Sequence, residues 1–301
     1  MSAQIAPLLK TASNKTPRAA IFLSGSGSNA EKVLQYLKTH APGTPFEAAA
    51  LVTDAPDTSR AYELGRLFNL PVIANDIRAF YRKHGCSRMT IATKEGWEIR
   101  QKWTLQLEEQ LLTHEIDFGV FAGFVPLTNI TGTFPCLNVH PGDLTYLKDG
   151  ERYLVGLHTM PIERAILEGL DSLRSSVIQA LPYTGEQDMD SGPILGVSEA
   201  VPIDLQGTDR DMLRDCAARR PAQRPKGGYK DRLEAVAKHN QPRLKENGDW
   251  TVLPPVVVDF AQHRFGINAD GQLHYRIGRR WHPVDTVMYG KNGKELLFAG
   301  T

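Results

Sequence analysis

Asn138 and His140 are the residues whose types and spacing first suggest chemistry. They sit in Leu137-Asn138-Val139-His140-Pro141, downstream of an apolar run from Phe118 to Ala122. Both runs have strand composition, and strand side chains repeat every two residues, so the amide and the imidazole face one way. Pro141 has no N–H to give to a ladder and stops the pairing. The pair therefore stands at a strand end, where α/β proteins bind ligands. An amide can donate to a developing oxyanion without changing charge, and an imidazole exchanges its proton near neutrality. A polar core residue beside a surface residue would give the same pattern, so the rest of the chain must decide.

A second constellation lies earlier. Ala19–Leu23 reads as a buried strand and is followed by Ser24-Gly25-Ser26-Gly27-Ser28-Asn29. A helix follows, with apolar residues at Ala30, Val33, Leu34 and Leu37, the spacing of one helical face. Strand, glycine loop and helix in that order make an anion site. Small residues let the backbone come close, and the first helical N–H groups point outward with the positive dipole end behind them. The loop is neither G-x-G-x-x-G nor a P-loop, whose lysine it lacks, and a Ser-capped strand-to-helix turn also fits it.

The elements that must position these residues alternate. Strands are expected at Glu47–Val52, Leu70–Ile73, Phe118–Ala122, Ser175–Leu181 and Ile194–Pro202. Helices are expected around Ala61, Leu64 and Phe68, over Ile99–His114 with a seam of Ile99, Trp103, Leu107 and Leu111, and after Met160. Residues 76–96 read as irregular. Such alternation predicts an α/β fold: a doubly wound, Rossmann-like parallel sheet covered on both faces. Asp231–Lys245 reads as helical. Asp270-Gly271 and Asn292-Gly293 are hairpin signals between alternating runs, which predicts a small C-terminal β appendage. The expected divisions are an N-terminal arm over 1–18, a catalytic domain over 19–262 and the appendage over 263–301. The appendage could pack on the sheet or meet a second copy in a homodimer.

A hydrophobic share of 41% and a charged share of 23% are those of a globular protein. The net charge of +1 gives no global reason to expect nucleic acid or an acidic membrane as partner. Cys86, Cys136 and Cys216 have no metal-ligand spacing, so no metal site is expected, and they favour a reducing compartment. No apolar stretch reaches the ~18 residues of a membrane span, and the expected location is cytoplasmic.

The ordered pieces SGSGSN, AGF, LNVHP, GLHT and D-x-D-S-G-P-I-L, spread over residues 19–203, resemble the folate-dependent formyltransferases, with the closest likeness to the glycinamide ribonucleotide formyltransferases. The resemblance implies a Rossmann-like sheet and 10-formyltetrahydrofolate as formyl-donating co-substrate. It implies a catalytic trio of Asn138, His140 and Asp190, and a phosphate-cradling loop of Gly25, Ser26, Gly27, Ser28 and Asn29. Phe124, Val125, Leu127, His158, Asp188 and Asp249 become candidate contacts to folate or acceptor. For His158 a cap or packing role fits as well, and for Asp188 a solvated loop carboxylate does.

The chain also departs from that pattern. Val125-Pro126 stand where close relatives carry Met-Arg, Ile178 stands for a second histidine, and Asp249-Trp250 stand for Glu-His. The spacing from His140 to Asp190 is extended by additions in LKDGERYLV and PYTGEQD. Arg214, Arg219, Arg220, Arg224, Lys226, Lys230 and Arg232 form a basic segment that suits either a solvated helix–loop–helix or a mobile loop over an anionic substrate. The expected reaction is formyl transfer to a primary amine on a small phosphorylated molecule, glycinamide ribonucleotide first. An amino sugar or another specialised amine, hydrolysis of the formyl folate, and a non-catalytic folate or nucleotide sensor are the alternatives.

Overall fold

The computed structural model describes residues 5–11, 15–40, 43–157, 159–185 and 190–298. Nine strands form its central sheet: β1 Arg18–Phe22, β2 Glu47–Thr53, β3 Val72–Ala74, β4 Phe118–Phe121, β5 Cys136–His140, β6 Ser176–Ala180, β7 Ile194–Ser198, β8 Thr286–Gly290 and β9 Gly293–Leu297. Their spatial order is β9-β8-β7-β6-β5-β4-β1-β2-β3. β5, β4, β1, β2 and β3 run parallel, β6 is antiparallel to both β5 and β7, and β8 is parallel to β7. The sheet is thus mixed, with a doubly wound parallel half. Its strand order reverses between β1 and β4, and the crevice beyond that point is where such sheets bind ligands.

Strands buried on both faces lose the polar alternation of half-exposed ones. Ala19 and Ile21 of β1 enter one core, with Val33 and Leu34 of helix α1 (Ser28–Thr39). Ala20 and Phe22 enter the other, with Ile99, Trp103 and Leu107. The α-helices among the described residues are α1, α2 Ala61–Phe68, α3 Ile77–Lys83, α4 Lys94–Leu111, α5 Met160–Leu167, α6 Arg210–Ala218, α7 Arg232–Leu244 and α8 Trp250–Ala261. α3 lies inside the stretch read as irregular. Asp76 caps it by accepting from the Ala79 N–H at 2.9 Å, but seven residues are too few to display a helical period. The run expected as one strand over Ile194–Pro202 divides into β7 and a short strand, Val201–Pro202, that pairs with Ser172–Leu173.

The C-terminal segment divides as well. Phe265–Ile267, Leu273–Ile277 and Arg280–Pro283 make a four-stranded sheet with Ala6–Pro7 of the N-terminal arm. β8 and β9 instead extend the central sheet. The basic segment is largely consumed by internal pairs. Arg220 meets Glu163 and Asp231 at 2.5 and 2.6 Å and lies over the Tyr229 ring, while Arg224 meets Glu234 at 2.5 Å.

Candidate active site

Leu137 and Val139 of β5 point into the core shared with α1 and α8, so Asn138 and His140 point to the other face, as the period of two requires. Antiparallel pairing sets Ile178 of β6 opposite Asn138 and Ser176 opposite His140. Ile178 gives the amide an apolar wall.

Asp190 arrives from the loop before β7. A Cβ on Gly192 would lie 1.7 Å from the Gln179 carbonyl oxygen, so only glycine lets this loop press onto β6. Asp190 has φ of 60°, a left-handed conformation that side chains other than Asn and Asp rarely take. The result is convergence. Asn138 Nδ2 donates to Asp190 Oδ1 at 3.4 Å, and His140 Nδ1 lies 3.3 Å from Asp190 Oδ2. Asp190 Oδ2 is buried and has no hydrogen-bond partner among the described residues. His140 Nε2 is 2.7 Å from the Leu154 carbonyl oxygen. A carbonyl only accepts, so Nε2 carries the hydrogen and Nδ1 faces the carboxylate.

These groups open into a cavity of about 210 Å³ walled by Phe121, Phe124, Leu127, Ile178 and Tyr183, with Thr128 and Thr131 as polar points. The loop after β4 is held firmly. The Val125 N–H donates to Ser24 Oγ at 2.9 Å, and Arg100 donates to the Leu127 carbonyl at 2.7 Å. Asn129 exchanges two hydrogen bonds with the Tyr183 backbone. Phe124, Val125 and Leu127, named from sequence, all line the cavity. His158 and Asp188 lie outside the described residues.

The glycine loop forms the start of α1. Gly27 is its N-cap with φ of 64°, and a Cβ there would come within 2.8 Å of Leu23 and Leu64. No side chain caps this helix end, so its first N–H groups keep the anion-binding character of an open helix terminus. Residues 25–29 do not line the 210 Å³ cavity; Ser24 lines an adjoining one of about 500 Å³ that shares Val125, Pro126, Leu127 and Leu157. The Asn29 side chain is committed elsewhere: Nδ2 donates to Asp249 at 3.0 Å, and Oδ1 accepts from Trp250 Nε1 at 3.1 Å.

Asp249 is buried and lies outside the cavity wall. It also accepts from Ser175 Oγ at 2.6 Å, and burial pushes its carboxyl above the ordinary range against the opposing bonds from Ser175 and Asn29. A one-turn π-helix, Lys245–Asp249, joins α7 to α8 and aims Asp249 inward. The geometry makes it a tie between α1, β6 and α8. The polar contacts not anticipated from sequence are Thr128, Thr131, Tyr183 and the Leu154 carbonyl. Only the hydroxyl residues could have been sought in advance, since a backbone carbonyl leaves no sequence signal.

No protein-family model and no curated protein sequence matches the chain. Solved structures do. Phosphoribosylglycinamide formyltransferase from Coxiella burnetii aligns over 90% of this chain and 96% of its own, with 16% identity and a TM-score of 0.56. Glycinamide ribonucleotide transformylase 1 from Symbiobacterium toebii aligns over 89% and 94%, with 19% identity and a TM-score of 0.53. A formyltetrahydrofolate deformylase from Pseudomonas syringae aligns over 87% of this chain and 67% of its own, with 13% identity and a TM-score of 0.56. The chain has the α/β fold of the formyltransferases. The alignments run over nearly the whole length of the two glycinamide ribonucleotide enzymes and two thirds of the deformylase.

Proposed function

We propose that this chain transfers a formyl group from 10-formyltetrahydrofolate to a primary amine on a phosphorylated small molecule, with glycinamide ribonucleotide the first acceptor to test. The observation that carries the reading is the convergence of Asn138, His140 and Asp190 on one apolar-walled cavity, with a buried carboxylate oxygen left unpaired. Such an orphan costs about 1–3 kcal/mol unless a ligand or water meets it. An incoming amine is a donor of the right kind. The apolar wall with a few polar points suits a flat heteroaromatic folate.

In this reading the amine nitrogen attacks the formyl carbon, and the carbonyl oxygen becomes an oxyanion. Asn138 Nδ2 donates to that oxygen, a stabilisation that strengthens as charge develops. Asp190 Oδ2 accepts the proton shed by the amine, directly or through one water. His140, set between the Leu154 carbonyl and the carboxylate, steadies the charge on Asp190 and can pass a proton on. The bond from the formyl carbon to the folate nitrogen then breaks, that nitrogen takes a proton, and tetrahydrofolate leaves. The open N-terminus of α1 would hold the acceptor's phosphate through backbone N–H groups, because the Asn29 side chain is occupied.

A hydrolytic reading, with water in place of the amine, is favoured by the similarity to a deformylase. Incubation with the folate donor, with and without glycinamide ribonucleotide, separates the two. Acceptor-dependent loss of the donor supports the proposal. Equal loss without acceptor selects hydrolysis, and inertness with this acceptor but not with another amine reassigns the substrate. Gly25→Ala is a suitable probe of the phosphate site, since a Cβ there meets nothing within 4 Å. It should weaken the phosphorylated acceptor more than the folate.

A further inference from the structure

We propose that Arg152 is a positioning residue for this site: presented by a hairpin clamped to α5, it fixes the Asp190 backbone and keeps positive charge beside the Asp190 carboxylate. The inference rests on the reading of Asn138, His140 and Asp190 given above.

The hairpin pairs Leu147–Lys148 with Glu151–Arg152. Asp149 and Gly150 form its two-residue turn with φ of 54° and 83°, the paired left-handed geometry for which Asp-Gly is suited. So short a hairpin has no core of its own and needs outside support. Lys148 Nζ meets Glu168 Oε1 at 2.6 Å and lies 4.6 Å from the Tyr153 ring centre. Arg164 of α5 donates to the carbonyls of Tyr153 and Val155 at 2.8 and 3.0 Å. The clamped strand reaches the site twice. The Leu154 carbonyl holds His140 Nε2, and Arg152 Nη1 donates to the Asp190 backbone carbonyl.

Both contacts bear on the carboxylate. Asp190 sits in a left-handed conformation, which is unfavourable unless its surroundings impose it. A guanidinium on its carbonyl supplies that constraint and keeps the side chain turned toward Asn138 and His140. Half-buried Arg152 is itself destabilised as a cation by burial, and the Asp190 charge is what opposes that. The attraction is mutual: a cation beside a carboxylate favours the ionised form, the form able to accept a proton from an amine. The other charged groups around the dyad are His140, which faces the carboxylate from β5, and Asp249, which interacts with His140 from the start of α8.

The test uses Arg152→Met and Arg152→Lys in the full-length enzyme. For Arg152→Met, kcat should fall roughly 10- to 100-fold with KM for the folate little changed, the scale of a misplaced catalytic group. The acid limb of its rate–pH profile should move up, because removing a nearby cation makes a carboxylate easier to protonate. Arg152→Lys should restore the limb, since a lysine supplies the charge, and recover only part of kcat, since it lacks the planar fork. Profiles that superimpose on the unmodified protein, with only thermal stability lowered, would overturn the proposal. So would Met and Lys variants with identical limbs. An independent reading comes from ¹⁵N NMR titration of the His140 ring, assigned with His140→Gln, in the absence of donor and acceptor. The Met substitution should shift that titration upward and the Lys substitution should not; an unmoved titration refutes the charge coupling. A shifted titration in a protein that turns over no formyl folate keeps the Arg152 inference and removes the functional reading.

Discussion

Two buried carboxylates in this molecule are used in opposite ways. Asp259 of α8 is saturated with partners. Its Oδ2 accepts from Tyr275 and Tyr289 hydroxyls at 2.6 and 2.7 Å, Lys294 Nζ reaches both oxygens at 2.9 and 2.7 Å, and Arg264 Nε lies 3.2 Å from Oδ1. Those partners come from the four-stranded sheet, β8, β9 and the turn after α8, so one side chain fastens the C-terminal segment to the core. Asp190 is just as buried but, among the described residues, its carboxylate has one long hydrogen bond, one 3.3 Å approach from His140 and an oxygen that no hydrogen bond meets, beside a cavity. Buried polar groups in a stable core are paired. A carboxylate held in a strained backbone with capacity to spare is arranged to meet something that arrives.

Breaking the comparison at each end gives the largest expected effects. Asp190→Asn should lower formyl transfer roughly 10²–10⁴-fold, the worth of a positioned proton acceptor, while the denaturation midpoint stays close to that of the parent. His140→Ala should fall in the same range. Asp259→Ala should do the reverse, costing about 3 kcal/mol by stranding Lys294 and two tyrosine hydroxyls, with the turnover of the folded fraction unchanged. Lys294 is partly exposed, which sets the figure at the low end of that range.

Smaller effects sharpen the contrast. The Asp259 charge and burial hold the Tyr275 and Tyr289 hydroxyls above the ordinary tyrosine range. In a spectrophotometric titration these two should be among the late-ionising tyrosines, with Tyr36, Tyr81 and Tyr183, and Asp259→Ala should bring Tyr275 and Tyr289 down. Asp249 supplies the smallest test. Burial holds its folded carboxyl above the ordinary carboxylate range, so the native state binds the proton more tightly and stability falls as pH rises through the window between the unfolded and the raised folded value. Asp249→Asn should flatten that part of the stability–pH curve, and a curve of unchanged slope would remove the assigned protonation difference.

How much of this was legible in the sequence depends on whether a feature is local. The period of two in Leu137–His140 placed Asn138 and His140 on one face, and the β1 loop and α1 followed from apolar spacing at Ala30, Val33, Leu34 and Leu37. α3 was hidden by its brevity. The partners of Asp190 were visible only through resemblance, since 50 residues (190 − 140) separate it from His140 and no local rule spans a loop. Asp249 lies at the place in the chain where the motif match expects it, but its hydrogen bonds from Ser175 and Asn29 are long-range and no local pattern announces them. The ion pairs of the basic segment were hidden for the same reason, because composition records charge and not the Glu163, Asp231 and Glu234 carboxylates that meet Arg220 and Arg224.

The most direct test is tetrahydrofolate release from 10-formyltetrahydrofolate at saturating glycinamide ribonucleotide, measured for the parent and Asp190→Asn beside their denaturation midpoints. Release by the parent should depend on the acceptor, and the variant should lose roughly 10²–10⁴-fold at a nearly unchanged midpoint. Equal rates in the two proteins, or a loss that follows only from unfolding, would contradict the assignment of Asp190 to the chemistry.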